Sequence, residues 1–171
     1  NNPLIRIVDI NKSVPFVELI REEMKSYAKN DYILFLDPDE ILPESLSNNL
    51  KLLYKKYDYI SIPRKNIILN KWIQHSRWWP DYQTRLFKKP NVIWQTKIHS
   101  QPKLKGNGFK LEPNEKNAII HHNYESISQY IEKMNRYARS QANGIYKNSE
   151  SLTVSDTIKM SISDILFSTS Q

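Results

Sequence analysis

The sequence predicts an α/β fold, a sheet with flanking helices, and two observations support it. A run rich in β-branched residues, a segment with helical spacing and a nearly continuous apolar run follow one another within residues 3–36, in the order of a βαβ unit. Hydrophobic residues make up 39% of the chain and aromatic residues 11%, which provides for a packed core and excludes a disordered chain.

The first third of the chain carries the clearest helix and strand signals. Residues 3–10 are the expected first strand. Apolar side chains at helical spacing predict a helix over residues 14–28. The apolar run at residues 31–36 is typical of a strand that is buried on both faces of a parallel sheet. A second helix is expected over residues 43–54, with a proline in its first turn and a glutamate at the positive end of its dipole.

Shorter elements are expected in the rest of the chain. Pro, Gly and Asn turns separate short strands at residues 59–64, 83–88, 91–94, 97–99 and 117–121. An amphipathic helix follows His122, with its apolar face formed by Ile127, Tyr130, Ile131, Met134 and Tyr137. A last amphipathic helix is expected over residues 154–167. The sequence has no internal repeat and no linker, so we expect a single domain over residues 1–171.

The charge of the chain is unevenly distributed. Lys and Arg number 25 against 18 Asp and Glu, a formal net charge of +7. Residues 51–110 carry 14 basic and 2 acidic side chains together with all four tryptophans. Such a segment indicates a polyanion, a phosphorylated small molecule or an anionic membrane surface as partner, or else an ordinary solvent-exposed face. The absence of cysteine excludes disulfides, thiolate zinc sites and cysteine nucleophiles.

An acidic cluster, Asp37-Pro-Asp-Glu40, directly follows the apolar run at residues 31–36. Ligands of open α/β sheets bind beyond the carboxyl ends of the strands, which is where these carboxylates are expected. Asp37 and Asp39 are suited to bind one hard cation, Mg²⁺ or Mn²⁺, that keeps positions open for substrate phosphates. The alternative is a plain turn, because Asp and Pro are ordinary turn residues.

Three sequence blocks in order resemble family-2 glycosyltransferases of the GT-A fold. The first is the segment DYILFLDPDEIL at residues 31–42, and the second is WWPDYQTRLFK at residues 78–88. The third is WQTKIH at residues 94–99, followed by IIHHNY at residues 119–124. The closest resemblance is to the subgroup that builds the lipopolysaccharide core and related bacterial glycans.

The resemblance implies a GT-A-like, Rossmann-like mixed sheet flanked by helices. It divides the chain into a βαβ part at residues 1–58 that ends in the D-x-D motif, an acceptor and catalytic part at 59–124, and C-terminal helices at 125–171. In this family a nucleotide-binding half precedes the D-x-D motif, and nothing of it precedes Asn1. We therefore expect an incomplete domain that is inactive in transfer on its own.

The resemblance also implies roles for three aspartates. Asp37 and Asp39 would bind the Mn²⁺ or Mg²⁺ ion that bridges the diphosphate of a nucleotide-sugar donor, expected to be a UDP-sugar. The ion neutralises the charge that builds up on the leaving diphosphate. Asp81 matches the carboxylate that takes the proton from the acceptor hydroxyl in inverting members. It is also one of only two acidic residues between positions 51 and 110, and the alternative role is that of a turn residue.

The same resemblance implies that further basic side chains bind the nucleotide-sugar donor. His99 matches a histidine that contacts the metal or the diphosphate, and His121 and His122 are the alternatives. Arg85 either holds the diphosphate or pairs with Asp81 four residues earlier.

Two aromatic residues are candidates for binding the acceptor. Trp78 and Trp79 would form an apolar platform for a sugar ring. Trp72 and Trp94 are expected in the core instead. Two departures from the family pattern stand out, Pro38 within the D-x-D motif and Ser100 in place of an acidic residue.

The leading hypothesis is a metal-dependent inverting glycosyltransferase that acts on a bacterial surface glycan or glycolipid. Its expected location is the cytoplasm, at the inner face of the membrane, with a peripheral contact to anionic lipid and no nucleic-acid partner. Two other function classes stay open. One is a single-stranded nucleic-acid-binding module that uses the basic, aromatic segment. The other is a non-catalytic carbohydrate-binding relic of the same fold.

Overall fold

A computed structural model describes residues 17–95 and 101–147, and within them the chain has an α/β architecture with a mixed parallel and antiparallel sheet. The helices are α1 (Arg21–Ser26), α2 (Glu44–Leu53) and α3 (Ile127–Lys147). The strands are β1 (Tyr32–Leu34), β2 (Glu40–Ile41), β3 (Tyr59–Ile68), β4 (Lys71–Trp72), β5 (Asp81–Lys88), β6 (Val92–Ile93), β7 (Lys103–Leu104), β8 (Gly108–Lys110) and β9 (Ile119–Tyr124). Single 3₁₀ turns lie at Val17–Leu19, Lys89–Asn91 and Glu115–Asn117.

The main sheet has the strand order β1-β5-β3-β9-β2, with β4 and β8 also paired to β3. The pairs β1–β5, β2–β9 and β3–β4 are antiparallel, whereas β3 pairs in parallel with both β8 and β9. Strands β6 and β7 form a separate two-stranded sheet. The α/β class expected from the sequence is therefore confirmed.

Two compact units divide the chain. Among the described residues, the first unit comprises 17–36, 44–62, 83–95 and 101–112. Its core is a cluster of buried side chains from β1, β5, β6 and the residue after β6, namely Ile33, Phe87, Val92 and Trp94. The ring of Phe35 packs edge-on against that of Phe87, with 5.1 Å between their centroids. Trp94 thus lies in a core, as the sequence predicted.

The described residues of the second unit are 37–43, 63–82 and 113–147. Its centre is β9, which pairs in parallel with β3 over residues 64–68 and in antiparallel with β2. Ala118 and Ile119 are fully buried at the start of this strand, and Tyr124 is buried at its end. The acidic cluster, Arg64, Asn66, Asp81 and α3 all belong to this unit, which is therefore where the candidate site lies.

Several predicted elements differ in length from the observed ones. Helix α2 is confirmed almost to its ends, because its start signals and its buried Leu46 and Leu50 lie within one short segment. The strand predicted at residues 31–36 is shorter, and its expected burial on both faces is wrong. Within the described residues it pairs in antiparallel with β5, only Ile33 is buried, and Leu36 is exposed.

Three predicted elements lie outside the described residues, the strands at 3–10 and 97–99 and the helix at 154–167. Helix α3 forms where its periodicity placed it. Its apolar face is nevertheless exposed at Ile127, Tyr130, Ile131 and Met134. No helix of the described part is long and apolar enough to cross a membrane.

Candidate functional site

The acidic cluster forms the turn that leads into β2. The backbone N–H of Glu40 donates to the carbonyl of Asp37 at 3.0 Å, and the N–H of Asp37 donates to Oε2 of Glu40 at 3.1 Å. The side chain of Glu40 has no exposed surface, so this carboxylate closes the turn and points inward. Asp39 lies within the same turn with 41% of its side chain exposed.

Asp39 has a histidine as its direct neighbour. Its Oδ2 lies 3.3 Å from Nε2 of His121, which is buried on β9. The N–H of His122 also donates to the Asp39 carbonyl at 2.9 Å and ties the turn to the strand. The hydrogen bond with His121 holds the pKa of Asp39 below its usual value of 3.8, although burial opposes this shift. The carboxylate is therefore ionised at neutral pH.

A row of polar residues crosses three neighbouring strands at one register. Glu40 on β2 lies opposite His121 on β9, and His121 lies opposite Asn66 on β3. The Oδ1 atom of Asn66 is 2.6 Å from Nδ1 of His121, and the Asn66 side chain is fully buried. The strand register, which depends on residues far apart in sequence, thus places this amide against the imidazole.

Asn66 and Arg64 hold the aspartate that begins β5. The Nδ2 atom of Asn66 donates to Oδ2 of Asp81 at 3.1 Å. The same oxygen accepts from Nε of Arg64 at 2.8 Å and from Nη2 at 2.6 Å. Residues 64 and 66 share one face of β3 because side chains alternate along a strand. Three donors therefore converge on one oxygen of Asp81.

Arg64 extends this network back to the acidic turn. Its Nη1 lies 3.3 Å from Oε1 of Glu40, so the guanidinium bridges Glu40 and Asp81. We call the set Glu40, Arg64, Asn66, Asp81, His121 and Asp39 the polar network. It joins the carboxylate predicted to bind metal to the carboxylate predicted to accept a proton.

Lys133 of α3 brings a positive charge to the same unit. Its Nζ donates to Oδ1 of Asn123 at 2.9 Å and lies 4.8 Å from the centre of the Tyr124 ring. Burial lowers the pKa of Lys133, and the charge of Asp39 opposes this shift. Beside it is a polar cavity of about 220 Å³, lined by Asn123, Tyr124, Gln129, Glu132, Lys133 and Arg136.

A divalent ion at this site would be bound by the carboxylates of the acidic turn. The described residues contain no group of three or more His, Cys, Asp and Glu side chains arranged around one point. Mg²⁺ and Mn²⁺ are commonly bound by one or two carboxylates and complete their coordination with water and substrate phosphates. Asp39 is 41% exposed and Asp37 is two residues away, so the turn offers one or two carboxylates of the kind that such an ion uses.

The other predicted site residues are spread over the chain. Arg85 is 1% exposed on the part of β5 that belongs to the first unit. Trp78 and Trp79 are half-buried in the second unit, where the Trp78 carbonyl accepts from Asn66 Nδ2 at 3.1 Å. The ring of Trp79 packs edge-on against Trp72, with 5.0 Å between centroids. His99 lies outside the described residues.

Sequence reasoning missed three members of the polar network, Glu40, Arg64 and Asn66. One signal is present in the sequence, because Arg64 and Asn66 are polar residues two positions apart in a segment that is otherwise rich in isoleucine. The strand predicted at residues 59–64 ends at Arg64 and does not include Asn66. Among the histidines of the described part, His121 contacts Asp39 through its side chain and His122 is exposed.

Comparison with known proteins adds no family assignment. No protein-family model matches this chain, and no solved structure is significantly similar to it.

Proposed function

We propose that this chain is part of a metal-dependent inverting glycosyltransferase of the GT-A fold. It would move a sugar from a nucleotide-sugar donor, a UDP-sugar, to a bacterial surface glycan or glycolipid. One observation carries the proposal beyond the sequence blocks. Asp39 and Asp81, to which the resemblance gives two different roles in one reaction, are connected through His121 and Asn66 by contacts of 3.3, 2.6 and 3.1 Å.

In the proposed reaction Asp37 and Asp39 would hold a divalent ion, whose charge would offset the negative charge on the leaving diphosphate. The acceptor hydroxyl oxygen bonds to the anomeric carbon from the face opposite the diphosphate. The bond between that carbon and the diphosphate oxygen breaks, and the electron pair leaves with the nucleoside diphosphate. Asp81 accepts the hydroxyl proton.

The geometry of Asp81 limits how it can act in this step. Oδ2 accepts from Nε and Nη2 of Arg64 and from Nδ2 of Asn66, so these donors fix the orientation of the carboxylate that would accept the proton.

The test uses the complete protein with manganese and UDP-sugars. We expect Asp39→Ala to abolish sugar transfer and the manganese-dependent part of nucleotide binding. The matched control is Asp31→Ala, since Asp31 is exposed and belongs to the first unit. Unchanged turnover in Asp39→Ala would refute the proposal.

A second variant separates chemistry from binding. Asp81→Asn keeps the shape of the side chain and removes its negative charge. We expect it to lose transfer and to retain donor binding. An equal loss of donor binding and transfer would mean that Asp81 has a structural role.

A further inference from the structure

The hydrogen bonds of Asn66 determine its orientation without ambiguity. Its Nδ2 faces the backbone carbonyl of Trp78 and Oδ2 of Asp81, and both of these atoms are acceptors only. The amide therefore presents Oδ1 to His121, at 2.6 Å from Nδ1. An amide oxygen accepts and does not donate, so Nδ1 of His121 carries a hydrogen.

This orientation has a consequence for Asp39. With Nδ1 engaged by Asn66, the nitrogen of His121 that faces Oδ2 of Asp39 is Nε2. The hydrogen bond made by one ring nitrogen of a histidine sets the role of the other nitrogen. Asn66 thus acts on Asp39 through the imidazole and on Asp81 by direct contact.

We infer that Asn66 is a positioning residue that orients His121 toward Asp39 and holds Asp81 in place at the same time. The role of Asn66 in sugar transfer rests on the proposed function. The position of the hydrogen on the His121 ring rests on geometry alone. Asn66 is fully buried and all three of its side-chain contacts lie within the second unit. A fully buried amide with three matched partners has little freedom to turn.

The first experiment determines which ring nitrogens of His121 carry hydrogen and does not require an active enzyme. Long-range ¹H–¹⁵N spectra of the ¹⁵N-labelled protein report which ring nitrogens of His121 carry hydrogen, with His121→Gln to assign the signals. We expect a protonated Nδ1 in the unchanged protein. A His121 whose Nδ1 is without hydrogen overturns the inference.

The second experiment separates the two contacts of Asn66. Asn66→Asp keeps an acceptor for His121 and loses the donor to Asp81, whereas Asn66→Leu loses both. We expect the hydrogen on Nδ1 of His121 to persist in Asn66→Asp and to be lost in Asn66→Leu, where Nδ1 has no acceptor and Asp39 still accepts from Nε2. The same outcome in both variants would contradict the inference. Asn123→Asp, on neighbouring β9, is the control substitution.

The third experiment uses Mn²⁺ alone as probe, followed by electron paramagnetic resonance. We expect Asn66→Leu to weaken Mn²⁺ binding by roughly 10-fold, the lower end of the effect of losing a group that orients a metal ligand, because Asn66 reaches Asp39 only through His121. Asn66→Asp should bind Mn²⁺ within a few-fold of the unchanged protein. Equal affinity in all three proteins would refute the link to Asp39. If the unchanged protein bound no Mn²⁺, the proposed function would fail while the spectra still decided the role of Asn66.

Discussion

Removing the guanidinium of Arg64 is expected to destabilise the second unit strongly. In Arg64→Met the methionine retains much of the apolar stem and loses the contacts to Oε1 of Glu40 and Oδ2 of Asp81. The Glu40 side chain has no exposed surface, so its carboxylate cannot exchange the lost partner for bulk water. The Asp81 side chain is 22% exposed and is partly rehydrated.

The magnitude follows from the burial of the three groups. Breaking a fully buried ion pair costs about 3–5 kcal/mol, whereas an exposed pair contributes about 0–1 kcal/mol. The Glu40 side chain is fully buried, as in the first of these two kinds of ion pair. Arg64 is 19% exposed, however, and the N–H of Asp37 still donates to Glu40. We therefore expect Arg64→Met to lower the free energy of unfolding by about 2–3 kcal/mol.

The assay is urea denaturation at pH 7 of Arg64→Met, Glu40→Gln and the double variant. The loss of unfolding free energy in the double variant should be smaller than the sum of the two single losses by about 1 kcal/mol or more. The reason is that the neutral amide in Glu40→Gln leaves no buried charge for the guanidinium to pair with. Arg139→Met on the exposed surface of α3 is the control, with an expected effect of about 0.5 kcal/mol or less. Additive losses, or a loss in Arg64→Met as small as that of the control, would refute the reasoning.

Two further predictions concern the stability of the protein at acid pH and the stability that a buried leucine gives the first unit. Because the pKa of Asp39 is lowered by His121, its contribution to stability is present above the unfolded value near 3.8 and is lost as the pH falls through the lower folded value. His121→Gln should raise the Asp39 pKa in a ¹³C carboxyl titration, and an unchanged pKa would contradict the assigned cause. In α2, Leu50→Ala should cost about 2–5 kcal/mol because Leu50 is 4% exposed, and Leu52→Ala, at 71% exposed, about 0.5 kcal/mol or less. Thermal denaturation of both variants checks this, and equal losses would refute it.

Elements defined by nearby residues were predicted well from the sequence. Helix α2 has its start signals and its buried leucines within about three turns, so its existence depends on local information. The same holds for the turn at the acidic cluster. Strand β3 was predicted only to Arg64 and continues to Ile68, because β9 and β4 pair with its second half. Pairing of this kind depends on segments that are distant along the chain.

Periodicity identified α3 but not its surroundings. The apolar spacing predicts a helix, and the helix is present. Lys133 and Tyr130 contact the β9 residues Asn123 and Tyr124, while Ile131 and Met134 remain exposed. A hydrophobic pattern shows that one face differs from the other and does not show which segment covers it.

The sequence by itself determined the α/β class, the position of the acidic turn and the choice of Asp39 and Asp81 as candidates. These follow from local patterns and from short blocks of residues. Only the tertiary structure decided that Asn66, His121 and Arg64 join the two aspartates. The physical reason is strand register, since a shift of β9 against β3 by one residue would turn His121 to the other face of the sheet and break the connection.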